Sequence, residues 1–576
     1  MNRNKVLRWG VIAVVAVIVA RLFCIQIIDH DVWTEKAAAQ QTKQNVLIAK
    51  RGEVYMMDGD TPVAVAMNAT VYTVIVDPML ASQEEVEKII SPLIGDKQVA
   101  EWKDIFADKK LRYYVVARNV ERKAAEKVAE ADLTGVWLQA NTKRVYPEGD
   151  LGATVLGFVN AEGVGQYGVE GAMNEELSGK DGLLRTVKDV NNVALSIGDD
   201  NVRIPAEDGQ NIVLTIDRNL QYKIEKILEQ KAGELGFKNI SALVMNPQNG
   251  KILAMANIPG YDPANFGAVE SAEAYINHVV EDPYEPASVC KVFAFATGLE
   301  YGVMTPDKTY QNDNVTYVDG LPIKNAVQYT NLVGTTTMQT ALDWSMNTGS
   351  TQVLRWLSGS ETDITATGRE RLYDYYYNHF GLGKETGIEL LEAIGTVQGP
   401  HAEIYGLDAT YANMTFGQNM QVTMLQTAAG LASIINGGNY YTPTVVAGKM
   451  TDGKFVEEAT KEPVRRTVSA ETSATMREMM YNTRKTWREN GTDPAGYYVG
   501  GKTGTAQAIK NGEYSFDETI ATYVGFGGAE GSDPEYLIMV RVWEENKKAA
   551  GDAHALPVFN ELKAQVQDYL KIKPGV

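Results

Sequence analysis

Cysteine and histidine are scarce in this sequence, and their scarcity excludes several kinds of site. There are 2 cysteines and 5 histidines in 576 residues. Cys24 lies in an apolar N-terminal run and Cys290 far along the chain, so we expect no disulfide framework. No C-x-x-C or H-E-x-x-H motif occurs, and the histidines are scattered. The sequence therefore predicts neither a zinc site nor another metal centre.

The sequence also lacks the excess of basic residues that a nucleic-acid binder needs. Lys and Arg number 54 against 73 Asp and Glu, a formal net charge of −19. Binding to nucleic acid rests on a basic face that meets phosphates, so this function is disfavoured. The hydrophobic content of 44% supplies sizeable cores, and the length exceeds that of one ordinary domain.

One long hydrophobic run, WGVIAVVAVIVARLFCIQII at 9–28, is present at the N-terminus. It is long enough to cross a bilayer as a helix. Basic residues precede the run and acidic residues follow it. This asymmetry predicts a single-pass protein of the cytoplasmic membrane, with a cytoplasmic tail over 1–8, an anchor over 9–28 and everything after it outside. The alternatives are a cleaved signal peptide, whose apolar region is usually shorter, and a buried helix of a soluble protein.

The rest of the chain divides into two regions that differ in the order of their strand and helix patterns. Residues 29–205 mix short β-like runs, such as VYTVIVD at 71–77, with polar helical stretches at 84–94 and 121–133. They predict an elongated α+β pedestal. In residues 206–576 strand patterns come first, helical patterns fill the middle and strand patterns return at the end. This order predicts an α+β fold in which an antiparallel sheet is sandwiched by helices.

The second region carries specific local signals. Its first part predicts a strand at 211–217, a helix at 220–232 and a hairpin at 241–257 with Asn249 and Gly250 at the turn. Near the C-terminus, VGGKTGTAQ, TYVGFGGAE and EYLIMVRVW are typical of successive strands.

Three short motifs in this second region indicate chemistry. They are S-x-x-K at 288–291, S-x-N at 345–347 and K-T-G at 502–504, the last followed by Thr505. Each occurs once. Any one of them is weak evidence, because a chain of this length yields about one accidental S-x-x-K. Together, in this order, they predict an active site with a serine nucleophile.

The first motif has a physical rationale as a nucleophile with its base. Ser288 and Lys291 are three residues apart, hence on one face of a helix that follows Pro286. A serine hydroxyl is a weak nucleophile until a base removes its proton, and an ammonium group cannot be that base. Lys291 must therefore be desolvated and lie near a second cation, for which Lys502 is the candidate.

The other two motifs supply the remaining roles. Ser345 could bridge the two lysines and pass a proton to a leaving amine, and Asn347 can offer its amide to a substrate backbone. The third motif indicates an edge strand, on which Gly500, Gly501 and Gly504 leave room for an extended peptide to pair alongside. Thr503, Thr505 and Lys502 would hold a terminal carboxylate. Backbone N–H groups of Ser288 and Thr505 would stabilise the oxyanion.

Simpler interpretations apply to the motifs one at a time and to other conspicuous residues. A lone S-x-x-K is usually a helix cap beside a surface lysine, a lone S-x-N is a turn, and a lone K-T-G is a hairpin with a glycine kink. We interpret Cys290 and the tyrosine run at 373–377 as packing residues. Four histidines have no acid that the sequence pairs with them, which disfavours a Ser-His-Asp triad; they are His278, His379, His401 and His554.

With these residues in hand, the chain resembles the class B penicillin-binding proteins over nearly its whole length. Besides the three motifs, the resemblance rests on RGEVY at 51–55, PVA at 62–64, RVYP at 144–147, LGFV at 156–159, GVEG at 168–171, LTID at 214–217, LQ at 220–221, YDP at 261–263, FGLG at 380–383, TG at 386–387, FGQ at 416–418, Thr423 and Gln426. The stretch MMD at 56–58 departs from the family pattern.

The resemblance implies a pedestal like the family's dimerisation domain over 29–205 and a serine β-lactamase-like transpeptidase domain over 206–576. It implies that Ser288 forms an acyl-enzyme with a D-Ala-D-Ala stem peptide of peptidoglycan, that an amine of a neighbouring stem takes the acyl group, and that β-lactam antibiotics acylate the same serine. No cofactor is implied. A multispanning glycan polymerase of the rod-shape or division type is the implied partner.

Two rival functions stay open on the sequence. The first is hydrolysis, by a β-lactamase or a D,D-carboxypeptidase; the long pedestal and the anchor fit transpeptidation better. The second is a non-catalytic β-lactam sensor or scaffold, which the three intact motifs disfavour. The sequence leaves elongation, division and sporulation open, with division preferred.

Overall fold

The computed structural model describes residues 3–33, 42–108, 110–187, 202–326, 332–486, 493–510 and 513–575. The chain forms two compact units, Met1–Gly52 with Ser178–Gln210, and Glu53–Leu177 with Asn211–Val576.

The secondary structure is mixed throughout. The strands are β1 (Thr42–Leu47), β2 (Val54–Asp58), β3 (Thr61–Val76), β4 (Tyr114–Glu121), β5 (Val136–Val145), β6 (Phe158–Val159), β7 (Gly165–Gln166), β8 (Gly182–Val187), β9 (Val202–Ile204), β10 (Asn211–Asp217), β11 (Asn239–Met245), β12 (Ile252–Ile258), β13 (Thr309–Asn312), β14 (Val315–Val318), β15 (Leu321–Lys324), β16 (Gly334–Thr337), β17 (Asn439–Tyr440), β18 (Val446–Thr451), β19 (Lys454–Glu457), β20 (Arg465–Arg466), β21 (Tyr497–Lys510), β22 (Glu513–Ala529) and β23 (Tyr536–Trp543). The α-helices are α1 (Arg3–Phe23), α2 (Gln83–Ile94), α3 (Trp102–Ile105), α4 (Arg122–Glu130), α5 (Ala153–Leu156), α6 (Gly168–Ala172), α7 (Asn174–Ser178), α8 (Arg218–Leu235), α9 (Lys291–Glu300), α10 (Met338–Asp343), α11 (Asn347–Leu357), α12 (Ala366–Tyr373), α13 (Leu407–Met414), α14 (Met424–Ile435), α15 (Ala470–Thr486) and α16 (Leu556–Tyr569).

The first unit contains the apolar N-terminal helix and a small sheet. Helix α1 continues as a π-helical turn over Cys24–Ile28. The segment Asn4–Ile28 is long and apolar enough to cross a membrane, with a mean hydropathy of 2.8 over its most apolar window and none of that window buried. This exposure argues against a buried helix of a soluble protein and fits a single-pass anchor. The sheet has the strand order β1-β8-β9.

A seven-stranded sheet in the second unit joins strands that are distant in the sequence. Its order is β19-β18-β10-β2-β3-β4, and β5 also pairs with β3. Strand β10, predicted at 211–217, runs parallel to β2 and antiparallel to β18. The strand expected at 71–77 is the end of the longer β3. The helix expected from 121 begins one residue later, because Glu121 still pairs with Val71 in the β4–β3 ladder.

A five-stranded antiparallel sheet, ordered β12-β11-β23-β22-β21, lies at the centre of the second unit. Side chains alternate between its faces, so that Leu243 joins one hydrophobic core while Ala242 and Val244 join another. Residues of α9 and α14 belong to the first core, and residues of α8 and α16 to the second. The antiparallel sheet is thus sandwiched by helices, as predicted.

Local sequence explains why the two helices nearest the motifs form where they do. Helix α14 begins with a capping box in which Thr423 accepts from the backbone of Gln426 and Gln426 reaches back, and all its residues are buried. Helix α9 is equally apolar and is preceded by a 3₁₀ turn over Ala287–Cys290. That turn carries the first motif and packs against β21, which carries the third.

Candidate active site

Ser288 lies in the 3₁₀ turn that leads into α9. Pro286 precedes this turn, which is 3₁₀-helical before the α-helix begins at Lys291. Ala287 adopts a left-handed backbone with φ of 52°, and its N–H donates to the Gly417 carbonyl at 3.2 Å. The loop at Gly417 therefore holds the turn in a conformation that an alanine rarely adopts, which fixes the direction of the serine side chain.

The side chain of Lys291 connects the first two motifs. Its Nζ lies 2.9 Å from Ser288 Oγ, 3.1 Å from Ser345 Oγ and 2.6 Å from the Ser345 carbonyl oxygen. Asn347 Oδ1 is the fourth neighbour, at 2.7 Å. An ammonium group has three protons and so cannot donate to all four oxygens at once. A neutral amine has a lone pair that accepts from the Ser288 hydroxyl, while its two protons can bind two of the other three oxygens.

Burial and a neighbouring charge both favour the neutral form of Lys291. Its side chain is fully buried in the core that α9 helps to form. Burial lowers the pKa of Lys291 well below its ordinary value, and the positive charge of Lys502 lowers it further. The sequence expectation of a desolvated lysine beside a second cation is thus met in the geometry.

Ser345 lies between the two lysines. Its Oγ accepts from Lys502 Nζ at 3.0 Å and from Lys291 Nζ at 3.1 Å. Ser345 occupies the short link between α10 and α11 and has a left-handed backbone with φ of 52°. In this conformation both its carbonyl oxygen and its hydroxyl reach the same amine. A residue held in the left-handed region costs about 1–3 kcal/mol and persists only where its surroundings impose it.

Lys502 projects from β21 toward the side of the sheet on which Lys291 and Ser345 lie. Its Nζ also lies 3.3 Å from its neighbour Thr503's carbonyl oxygen. Burial lowers the pKa of Lys502 to about 7, and the carboxylate of Asp343 opposes this shift. Both amines of the lysine pair therefore lose a proton more readily than an exposed lysine does.

Asn347, at the start of α11, uses both ends of its amide within the chain. Its Oδ1 accepts from Lys291, and its Nδ2 donates to the Lys324 carbonyl at 2.9 Å. The sequence had suggested that this amide is offered to a substrate backbone. In the structure it orients Lys291 and ties the motif to the β14–β15 hairpin.

The third motif lies on the edge strand of the five-stranded sheet, as predicted. Strand β21 pairs with β22 and ends the sheet's strand order. The role predicted for its glycines was wrong in part. A Cβ on Gly501 would lie 2.2 Å from Tyr523 Oη, and one on Gly504 would lie 2.9 Å from the Pro286 carbonyl oxygen. These glycines admit neighbouring groups of the chain itself, which lets the strand approach the turn that carries Ser288.

Thr503 and Thr505 follow Lys502 along β21, and Lys502 Nζ lies 3.5 Å from Thr503 Oγ1. Thr503 is half-buried and Thr505 is exposed. The Thr505 hydroxyl accepts from the Gly551 N–H at 3.0 Å, so the segment at Gly551 is tied to the strand.

The histidines and the candidate packing residues have partners of their own in the structure. The structure pairs three histidines with acids that the sequence did not reveal: His278 with Asp282, His379 with Asp374, and His401 with Glu370. None of these pairs includes Ser288, whose hydroxyl is hydrogen-bonded to Lys291. Buried Cys290 contacts Met420, and Tyr376 packs on Phe293, which confirms their packing roles.

Sequence reasoning missed one acidic residue near the motifs. Asp343 ends α10 and is buried, and its charge acts on Lys502. A single aspartate two positions before an S-x-N gives no signal of its own, because a helix end commonly carries an acidic or amide side chain.

Comparisons with known families identify both regions of the chain. The penicillin binding protein transpeptidase domain matches residues 240–564, and the penicillin-binding protein dimerisation domain matches residues 46–214. The chain is 27% identical to stage V sporulation protein D of Bacillus subtilis, over 99% of this chain and 86% of that protein. It is 26% identical to peptidoglycan D,D-transpeptidase FtsI of Escherichia coli, over 98% of this chain and 91% of that protein.

The fold also matches solved structures. Penicillin binding protein 3 of Mycobacterium tuberculosis, complexed with aztreonam, superposes with a TM-score of 0.67 at 24% sequence identity. The superposition covers 92% of this chain and 98% of that one. At this identity the likeness concerns the fold alone, and it extends over both matched domains.

Proposed function

Because this chain belongs to the class B penicillin-binding protein family, we propose that it is a peptidoglycan D,D-transpeptidase. Ser288 attacks the carbonyl of the penultimate D-Ala of a stem peptide, releases the terminal D-Ala and passes the acyl group to an amine of a neighbouring stem. The observation that carries this proposal is the hydrogen-bonded chain from Ser288 through Lys291 and Ser345 to Lys502.

In the acylation step, neutral Lys291 takes the proton of the Ser288 hydroxyl as the bond from Oγ to the carbonyl carbon forms. The resulting tetrahedral oxyanion collapses, and the carbon–nitrogen bond to the terminal D-Ala breaks. The leaving nitrogen receives the proton from Lys291 through the Ser345 hydroxyl, and free D-Ala departs. In the second step the acceptor amine attacks the ester carbon, gives its proton back along the same path and restores Ser288.

The buried pair of lysines supports this assignment of roles. A protonated Lys502 beside Ser345 disfavours a second positive charge on Lys291, and this keeps the base neutral at the pH where the enzyme works. Asn347 holds Lys291 in place through its Oδ1. We assign the oxyanion site to the backbone N–H groups of Ser288 and Thr505, by extension from the family motif.

We assign the binding of the substrate's terminal carboxylate to Thr503, Thr505 and Lys502, with Gly504 allowing β21 to approach Ser288. The edge position of β21 supports pairing with an extended stem peptide, because an edge strand presents unpaired backbone groups. β-Lactams would acylate the same serine; the aztreonam complex of the mycobacterial relative is consistent with this binding.

We further propose how the enzyme is placed in the cell. The apolar segment Asn4–Ile28 would anchor it, with the N-terminal tail inside and the catalytic region outside. We propose that residues 29–205 form a pedestal and that residues 206–576 form the transpeptidase domain. A multispanning glycan polymerase would supply the glycan strands, since none of the matched domains makes them.

Labelling with a penicillin tests the proposal. Full-length protein in detergent is treated with a fluorescent penicillin, and the labelled peptide is identified by mass spectrometry. We expect stoichiometric label on Ser288, no label on Ser288→Ala, and retained label on Cys290→Ala, which alters the buried side chain two residues away. Absence of label on folded wild-type protein would contradict the proposal and favour a scaffold.

The lifetime of the label separates transfer from hydrolysis. We expect the penicilloyl-enzyme to persist for many minutes, and a stem-peptide donor with an added acceptor amine to yield the cross-linked product. Rapid release of penicilloic acid, with no cross-linked product, would instead identify a β-lactamase.

A further inference from the structure

Glu285 is a buried carboxylate near the nucleophile that the proposed chemistry does not use. It stands three residues before Ser288, and 4% of its surface is exposed. Its Oε1 accepts from the Asn419 N–H at 2.7 Å and from the Tyr514 hydroxyl at 2.9 Å. Burying a carboxylate is costly unless hydrogen bonds replace the lost water. The two donors therefore indicate what this side chain does.

The segment that contains Glu285 leads directly into the turn of Ser288 and is held by a neighbouring loop. Tyr284 and Val422 exchange both of their backbone hydrogen bonds, each at 3.0 Å. The loop that precedes Val422 includes Asn419, whose backbone is left-handed with φ of 58°. The Asn419 N–H that Glu285 accepts therefore belongs to a loop that is already fixed beside the nucleophile.

Tyr514 belongs to a third segment, which we call the hairpin arm: residues 506–510 and 513–516, where β21 and β22 extend beyond the third motif. The two strands are still paired within the arm. The Tyr514 hydroxyl oxygen lies 2.9 Å from Glu285 Oε1 and 2.9 Å from Asn419 Oδ1. The tyrosine therefore joins the arm both to the segment before the nucleophile and to its neighbouring loop.

The proposed reaction sets the direction in which a donor peptide lies on β21. Its terminal carboxylate is assigned to the motif that starts at Lys502, and the oxyanion of its reacting carbonyl to the N–H of Thr505 at the far end of that motif. The residues that precede the reacting carbonyl thus continue along the hairpin arm. An extended peptide gains affinity from the backbone hydrogen bonds that it forms with an edge strand. The position of the arm therefore decides how much of the donor binds.

We propose that Glu285 is a positioning residue that clasps Tyr514 and so holds the hairpin arm where it binds the part of the donor stem peptide that precedes the two D-Ala residues. The proposal rests on the proposed function, and it names a binding surface for the same substrate. Without the clasp the arm loses a tether to the segment that carries the nucleophile, so a long donor binds more weakly. The hydrogen-bonded chain from Ser288 to Lys502 contains neither residue of the clasp, so the chemical step is unchanged.

The direct test is Tyr514→Phe, which removes the clasping hydroxyl and keeps the ring. Release of D-Ala by full-length protein in detergent, with a fixed concentration of acceptor amine, is measured for two donors: a synthetic stem pentapeptide ending in D-Ala-D-Ala, and N-acetyl-D-Ala-D-Ala. Loss of a hydrogen bond to a charged group changes affinity about tenfold. We expect KM for the pentapeptide to rise about tenfold, with kcat within about twofold of the wild type. The short donor has no residue for the arm, so its kcat/KM should stay at the wild-type value.

Two variants of Glu285 separate the hydrogen bonds from the charge. Glu285→Gln keeps an oxygen that accepts from Asn419 and Tyr514. The other carboxylate oxygen, Oε2, has no hydrogen-bond partner in the part of the chain that the structure describes, so an amide there gives up no bond. We expect Glu285→Gln to keep the wild-type KM for the pentapeptide and Glu285→Leu to raise it as Tyr514→Phe does. If Glu285→Gln behaved like Glu285→Leu, the charge would matter and the clasp would be overturned.

Tyr497→Phe is the matched control, because it removes a hydroxyl from the opposite end of the same strand. The Tyr497 hydroxyl donates to the Ile572 carbonyl at 3.1 Å, and Tyr497 lies five residues before Lys502, about 16 Å along β21. We expect the wild-type KM for both donors. An unchanged pentapeptide KM in Tyr514→Phe, or equal losses on both donors, would contradict the inference. If wild-type protein took no penicillin label on Ser288, or released no D-Ala from the pentapeptide, the proposed function itself would fail, so the two failures are distinguishable.

Discussion

Two clusters of buried cations lie on opposite faces of β21, and the pKa values of Lys502 and Arg484 in them shift in opposite directions. On one face Lys291 and Lys502 share the Ser345 hydroxyl, and the pKa of each lysine is lowered. On the other face Arg484 and Lys563 share the carboxylate of Asp493. There the pKa of Arg484 is raised and that of Asp493 is lowered.

The difference between the clusters lies in the partner and not in the depth of burial. All four cations are nearly inaccessible to water. A carboxylate shared with Lys563 raises the pKa of Arg484, whereas a shared hydroxyl leaves Lys291 free to lose its proton. The first arrangement fixes structure and the second supplies a base. A buried cation thus indicates chemistry only where its hydrogen-bond partners are neutral.

The largest effect is expected from Lys502→Met, which removes the second cation. Acylation by penicillin should fall at least about 1,000-fold, because the group that keeps Lys291 neutral is gone. The free energy of unfolding at pH 7 should nevertheless rise by roughly 1–4 kcal/mol, as an apolar side chain replaces a buried amine. Labelling rates and denaturant titrations measure the two effects.

The pH dependence of that stability difference follows from the lowered pKa. Lys502 titrates at about 7 in the folded chain and at about 10.4 when unfolded. Between these values the unfolded chain binds more protons, so the stability of the wild type rises with pH. The advantage of Lys502→Met should be largest near pH 7 and below and disappear toward pH 10. If the stability advantage of Lys502→Met over the wild type did not change with pH, the buried Lys502 amine would not be its cause.

Asp493→Asn should have the next largest effect, because it removes the carboxylate charge that the buried Arg484 and Lys563 share. We expect the free energy of unfolding to fall by about 3–5 kcal/mol. Asp533→Asn is the control: Asp533 binds Arg477 at 2.7 Å but is largely exposed, so its loss should cost less than about 1 kcal/mol. Equal losses in both variants would contradict the distinction between the two sites.

The smallest of these effects is expected for Gly501→Ala, which alters the strand between the two clusters. The added methyl group would lie 2.2 Å from Tyr523 Oη, which Arg484 holds in place at 2.8 Å. Such overpacking costs about 1–3 kcal/mol of unfolding free energy. In Gly399→Ala the new Cβ has no other atom within 4 Å. The free energy of unfolding of this variant should therefore stay close to that of the wild type in the same denaturant titrations. If neither variant changed the free energy of unfolding, the space beside Gly501 would not be occupied by Tyr523.

The comparison also shows which features the sequence could predict. The three motifs have fixed residue types at short spacings, and strands β10, β11 and β23 are short, largely apolar runs, so both were predictable. Asp343 and Asp493 were not, because each acquires its role from residues far away in the sequence. The role of Gly501 was predicted wrongly for the same reason. Only the fold shows that Tyr523, and not a ligand, occupies the space beside this glycine.

The parallel pairing of β2 with β10 has a consequence for making shorter versions of this protein. The ladder pairs Val54 with Ile212 and Tyr55 with Val213. A fragment that starts near residue 206 would lack β2 and expose the amide and carbonyl groups of β10 along one whole edge. Such a bare edge invites self-association. A well-behaved soluble fragment should therefore begin before Val54 and retain the strand that precedes the region it was meant to omit.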